Sequence, residues 1–202
     1  MTKPKTVAVA VGIALVGSGS ALLGHDAYLG VKAMVAERLI ARAFDDHLLD
    51  GLPHRPWSWA DWVPIARLDV ERLGVRRHVL SGATGSSMAF GVGHIDGTAL
   101  PNADGNCVLA GHRDSWFRFL ERLKRGDRIR VDTVEGDRDW VVESVEVTTA
   151  GNTGILEPTP HPRLTLVTCY PFDGLVRSPW RYVVSCVPSV GDGGAGVRDV
   201  LQ

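Results

Sequence analysis

The chain has 202 residues, 45% of them hydrophobic and 22% charged, with a formal net charge of −1. That composition supports one globular domain plus an extension, and the absence of any Lys/Arg run argues against a nucleic-acid partner. Three cysteines give no even disulfide framework and no C-x-x-C pair, which speaks against a cysteine-cluster metal site.

Lys3 and Lys5 precede the uncharged run Val7 to Gly24. Its length is at the lower limit of a membrane-spanning helix, and the basic flank predicts the N-terminus inside and the remainder outside. The competing reading is a cleaved signal peptide, with Gly17-Ser18-Gly19-Ser20-Ala21 as the processing site; both readings export the domain. Between Tyr28 and Phe44, Val31, Met34, Val35, Leu39 and Ile40 recur at helical spacing, with Lys32, Arg38 and Arg42 between them. This predicts an amphipathic helix that lies on the bilayer surface, packs on the domain or serves as a stalk. The breaker-rich stretch Asp50 to Pro56 reads as a linker. Trp57, Trp59 and Trp62 follow it, as a lid over a core or as interface anchors.

Strand-like segments then recur at Ile65 to Val70, Arg76 to Leu80, Phe90 to His94, Asn106 to Ala110, Asp127 to Thr133, Asp139 to Val147, Leu164 to Cys169 and Arg181 to Val187. Many short strands separated by turn residues predict an all-β sandwich or barrel. Ser115 to Leu123 is expected to be helical, with Phe117, Leu120 and Leu123 on one face. Thr148 to Arg163 carries two glycines and three prolines and is expected to be irregular; the glycine-rich tail after Pro188 receives no function. The predicted organisation is therefore a membrane segment or signal peptide over residues 1–24, a helix and linker over 25–56, an all-β domain over 57–187 and a tail over 188–202.

Cys169 ends the β-rich run Leu164 to Cys169, which Pro171 stops. A thiol at a strand end is rigidly held and can face a cleft, but it needs a base or cation to become a nucleophile. His112 ends another small apolar run, Cys107 to Gly111, and Arg181 opens the last strand-like segment. The three supply a nucleophile, a proton carrier and a stabiliser of negative charge, which is the set needed for acyl transfer at an amide. Arg177 is the rival for the arginine role. Asp114 is placed to orient the histidine or to act as a turn residue, and Thr168 adjoins the nucleophile one step out of phase with it. Cys107 and Cys186 lie in apolar runs where a buried free thiol is the ordinary state, a disulfide between them being the alternative. His94 reads as a structural histidine, and Leu100-Pro101-Asn102-Ala103 as a turn.

Val167-Thr168-Cys169-Tyr170-Pro171-Phe172 and Gly111-His112-Arg113-Asp114, with Arg181 opening the last strand, resemble the signature of sortases, the cysteine transpeptidases of bacterial surfaces. Ala66 to Val75 and Gly93 to Pro101 extend the resemblance, which covers about Trp57 to Val187 and is nearest to class D-like sortases, including their Gram-negative branch. The resemblance implies a closed eight-stranded sortase-type β-barrel with one or two short helices, preceded by an N-terminal membrane helix in the cytoplasmic membrane. It implies His112, Cys169 and Arg181 as catalytic residues, with Thr168 and Asp114 as substrate-binding candidates. The partners implied are the C-terminal Leu-Pro-x-Thr-Gly-like sorting signal of a surface or secreted protein and an amine acceptor. No motif asks for a cofactor; some sortases bind calcium, but Glu157 is the sole acid in the loop before the cysteine strand. A peptidase that lets water resolve the thioester, and a barrel that only binds, are the alternative functions.

Overall fold

The computed structural model describes residues 28–174 and 178–189. The uncharged run Val7 to Gly24, the rival Arg177 and the tail beyond Ser189 lie outside the described residues. No described helix is long and apolar enough to cross a membrane. Residues 28–50 are helical (α1), and the chain divides after Leu39 into two compact units.

In the first unit the described residues 28–39 form a helix in which Tyr28, Val31, Met34 and Val35 are exposed and the Lys32 ammonium sits 5.6 Å from the Tyr28 ring centroid. The second unit starts at Ile40, ahead of the Asp50 to Pro56 linker that the sequence suggested as its edge. The reason is apolar burial: Ile40, Ala43 and Phe44 are buried, and Ile40 packs with Ala60, Trp62 and Leu80. Of the three tryptophans, Trp62 is buried, Trp57 packs against it at 5.3 Å between ring centroids, and Trp59 is 81% exposed.

The barrel strands are β1 (Pro64–Val70), β2 (Val75–Leu80), β3 (Val92–His94), β4 (Asn106–Ala110), β5 (Arg128–Thr133), β6 (Gly136–Thr149), β7 (Arg163–Tyr170) and β8 (Trp180–Pro188). They close in the order β1-β2-β3-β4-β7-β8-β6-β5, with β2–β3 and β4–β7 parallel and the other pairs antiparallel. Closure removes exposed sheet edges and leaves an inside filled by side chains and an outside free to differ. Ala66, Leu68 and Val70 point inward from β1, Ile129 and Val131 from β5, Leu164 and Leu166 from β7, and Val184 and Cys186 from β8. Burial of each large member removes about 1.5 to 3 kcal/mol worth of apolar surface from water. On the outside of β1 and β5, Asp132 accepts from Arg67 at 2.7 Å and from Arg130 at 3.0 Å.

Two segments depart from the sequence expectation. Ser115 to Leu123 is not an α-helix: turns lead into a 3-10 turn over Arg118–Arg122. Phe117 and Leu123 flank that turn, and Phe117, Phe119, Leu120 and Leu123 are all buried in the barrel core, so the segment packs its apolar residues without forming an α-helix. The segment Thr148 to Arg163 is more regular than expected. β6 continues through Thr149 because β8 pairs with it as far as Trp180, and a 3-10 turn, Thr153–Leu156, follows with Asn152 Oδ1 accepting from the Gly154 N–H at 3.1 Å. A short helix, α2 (Gly85–Met88), escaped the sequence reading; Thr84 and Ser87 cap it reciprocally.

Candidate active site on the outer face of the barrel

Strand alternation divides β7 into two sets. Leu164, Leu166 and Thr168 face the interior and are buried; Thr165, Val167 and Cys169 face outward. Pairing carries the outward set across the sheet in rows. Cys169 pairs with Arg181 of β8, which pairs with Thr148 of β6. One step down, Ala110, Val167, Val183 and Glu146 are aligned, and below them Val108, Thr165, Ser185 and Ser144.

His112 reaches the top row through the parallel β4–β7 ladder. The last pair of that ladder is Ala110 with Val167. One residue further, the Gly111 N–H donates to the Val167 carbonyl at 3.3 Å, and Thr168 Oγ1 donates to the Gly111 carbonyl at 2.7 Å. The next residues along the two chains are His112 and Cys169. The ladder therefore brings the histidine segment alongside the end of β7 that carries Cys169, while the β8 register sets Arg181 directly across from Cys169. Thr168, only 3% exposed, turns away from the groove and ties the histidine segment to β7, so its hydroxyl holds backbone rather than facing the outer groove.

The segment after His112 is built to grip the loop after Cys169. The Phe117 N–H folds back on the His112 carbonyl at 2.9 Å, and Gly111 lets the buried Phe117 ring approach so closely that a Cβ there would stand 2.9 Å from the ring. Arg113 donates from Nη1 to the Pro171 carbonyl at 2.8 Å and from Nη2 to the Gly174 carbonyl. Arg118 Nη1 donates to the Phe172 carbonyl at 2.6 Å, with its guanidinium 5.9 Å from the Phe172 ring centroid. Asp114 is exposed in the same turn. Neither arginine role was read from the sequence, although Arg113 lies inside the Gly-His-Arg-Asp wording.

Arg181 is half-buried and donates from Nη1 to the carbonyls of Ser178 at 3.1 Å and Trp180 at 2.9 Å. Its Nη2 and Nε have no hydrogen-bond partner among the described residues, and a guanidinium carries five donors. All three thiols are free. Burial pushes the Cys107 and Cys186 thiols up to about 12, Cys186 with a smaller contribution from Glu143, so both are chemically quiet. Cys169, partly exposed, is the accessible thiol of the three. His94 is buried, its Nε2 within 2.9 Å of the Ala99 carbonyl, a structural role.

Below the top row lies an apolar floor of Val108, Val167 and Val183, with Ile95, Ala110, Ile155 and Leu156 packed on it. Ile155 and Leu156 come from the 3-10 turn before β7, and Asn106 fixes that turn. The buried Asn106 amide donates to the carbonyls of Ile155 at 2.9 Å and Glu157 at 3.1 Å, while its Oδ1 accepts from Thr165 Oγ1 at 2.7 Å. A polar residue opening an otherwise apolar strand was the available signal for this brace. Among the described residues, no group of three or more His, Cys, Asp or Glu side chains converges.

Residues 68–189 match the model of the Sortase domain family. The chain belongs to the sortase family. Its sortase domain is similar to Sortase D of Bacillus subtilis (strain 168), with 29% identity over 119 residues, 58% of this chain and 60% of that relative's length. The fold is that of a Clostridium perfringens Sortase D5 transpeptidase, with a TM-score of 0.64, 23% identity and coverage of 77% of this chain and 99% of that one. The catalytic domain of B. anthracis SrtD matches with 30% identity and a TM-score of 0.54 over 62% of this chain and 87% of that one. These similarities support a class D-like sortase.

Proposed function

We propose that this sortase is a cysteine transpeptidase that cuts a Leu-Pro-x-Thr-Gly-like sorting signal near the C-terminus of a partner surface protein and joins the new carboxyl end to an amine. The observation that carries the reading is the row in which Cys169, whose thiol is accessible, is the ladder partner of Arg181, beside the Gly111–Thr168 contact that leads into His112. Cys169, its thiol proton passed to His112, attacks the scissile carbonyl through Sγ and forms the C–S bond of a tetrahedral intermediate. Arg181 donates to the oxyanion or to the substrate backbone through the N–H groups it does not spend on its own loop. His112, protonated, gives its proton to the departing amine as the C–N bond breaks, which leaves a thioester on Cys169. The acceptor amine then attacks the thioester, His112 takes up its proton, and the thiolate leaves. Asp114 orients the imidazole from the exposed turn.

We place the domain outside the cytoplasmic membrane, anchored by residues 7–24 with the N-terminus inside, on the uncharged run and its lysine flank. The wording around His112 and Cys169 favours the Gram-negative branch of class D. The test is mass spectrometry of the chain with a library of Leu-Pro-x-Thr-Gly-like peptides and an amine, beside Cys169→Ala. An amine-exchanged product that vanishes in the variant supports the proposal. Cleavage without exchange makes the protein a peptidase, and a Cys169-independent result reduces it to a binding barrel. Full turnover in Arg181→Ala with loss in Arg177→Ala would transfer the arginine role.

A further inference from the structure

We infer that the groove does not end at its apolar floor but continues into a subsite for a cationic side chain of the substrate, upstream of the apolar residue of its sorting signal. The inference rests on the acyl-transfer reading of the Cys169 end.

A cavity of about 380 Å³ opens at the lower end of the outer rows, lined by Asn106, Glu146, Glu157, Arg163, Thr165 and Ser185 among others. Thr165 lies four residues before Cys169, so its side chain is about 13 Å from the nucleophile along β7. Between them stands the apolar row of Val167 and Val183, walled by Ile155 and Leu156. A signal whose scissile carbonyl meets Cys169 and whose leucine settles on that row directs the residues preceding the leucine into the cavity. An extended peptide covers about 3.3 to 3.6 Å per residue, which brings the first or second residue before the leucine to this depth.

Two exposed carboxylates, Glu146 and Glu157, and one guanidinium, Arg163, line the cavity. Glu146 pairs with Val183 across β6 and β8 and therefore shares its outward face. Glu157 is held at the other wall, its carbonyl bound by the Asn106 amide. Neither carboxylate has an ion-pair partner among the described residues. The cation that lines the cavity has a carboxylate of its own, Arg163 Nη2 lying 3.5 Å from Glu143 Oε2 in an exposed pair, which leaves two carboxylates against it. Thr165 spends its hydroxyl hydrogen on Asn106, and Asn106 spends its amide on the wall, so neither neutralises the two carboxylates. A lysine or arginine side chain meets both charges there; a glutamate is repelled.

The test uses three Leu-Pro-x-Thr-Gly-like peptides that carry Lys, Ala or Glu at the two positions before the leucine. Their affinity for the full Cys169→Ala chain is titrated, and their turnover by the native chain is followed in parallel. The lysine peptide is expected to bind about 3- to 10-fold more tightly than the glutamate peptide at low ionic strength, a ratio that shrinks toward unity in about 1 M salt. In the Glu146→Gln/Glu157→Gln chain the ratio is expected to fall to about 1 whatever the absolute affinity. Equal binding of the lysine and glutamate peptides, or a ratio that survives in the double variant, overturns the subsite. Discrimination in binding without Cys169-dependent turnover would keep the subsite and remove the transpeptidase reading; turnover without discrimination would do the reverse.

Discussion

Thr168→Val is the sharpest test of how the site is held. Valine keeps the volume of threonine and replaces only the hydroxyl that donates to the Gly111 carbonyl at 2.7 Å. Thr168 is 3% exposed, so water cannot substitute for the lost donor at that carbonyl. Leaving a buried acceptor unpaired costs about 1 to 3 kcal/mol. For a unit of this size each kcal/mol lowers the melting temperature by about 2 to 4 °C, so a fall of about 2 to 12 °C is expected. The same bond sets the height of His112 relative to Cys169, and a displacement of about 1 Å in such a constellation can cost about 100-fold in rate. Single-turnover thioester formation should slow by about 10- to 100-fold, with substrate KM changed far less. Thr168→Ser retains the donor and should recover most of the rate. A valine variant that melts within about 1 °C of the parent, or a serine variant as slow as the valine one, would refute the reasoning.

Alkaline stability follows from the two buried thiols, pushed up to about 12 by burial. Their neutral forms favour the folded state, so that contribution is complete below the ordinary thiol range and is lost as pH rises toward 12. At pH 10.5 the two together should cost about 4 kcal/mol in chemical unfolding, and Cys107→Val/Cys186→Val should flatten that alkaline decline. Gly111→Ala should lose both stability and turnover, because its Cβ would stand 2.9 Å from the buried Phe117 ring; a second substitution, Phe117→Leu, should restore part of the thermal stability if the clash is the cause. Asn106→Asp removes two donors from the wall of the groove, so amide exchange over residues 153–157 should quicken by about 10-fold or more, and peptide KM should rise more than kcat falls. Unchanged exchange in that variant would show that the wall holds itself.

The eight strands were legible because each is rich in β-formers and closed off by glycine, proline or turn residues, and β1 and β5 alternate cleanly between buried and more accessible positions. Thr168 and Cys169 being one step out of phase was legible for the same reason, since adjacent strand residues face opposite sides. What could not be read is any relation made by pairing across long sequence distances. The setting of His112 beside Cys169 depends on the parallel β4–β7 ladder, and Arg181 opposite Cys169 depends on the β8 register. Phe117, Leu120 and Leu123 were misread as α-helical because a spacing of three fits both helix types. The Asn106 brace joins a strand to a turn about fifty residues away, and a single asparagine in an apolar run does not say which carbonyls it will meet.

A closed barrel gives one reason why a thiol in this position can be reactive while the other two are not. Cys107 and Cys186 belong to the interior core, where burial opposes ionisation. Cys169 has the parity of Val167 and Thr165 and stands one residue before the end of β7, which frees its thiol from the interior while the β8 ladder still fixes its backbone. The two requirements of a nucleophile, access and rigidity, conflict in a loop and in a core. They are met together at the rim of a closed sheet, on the outward face, and the grip of Arg113 and Arg118 on the following turn extends that rigidity past the point where the strand stops.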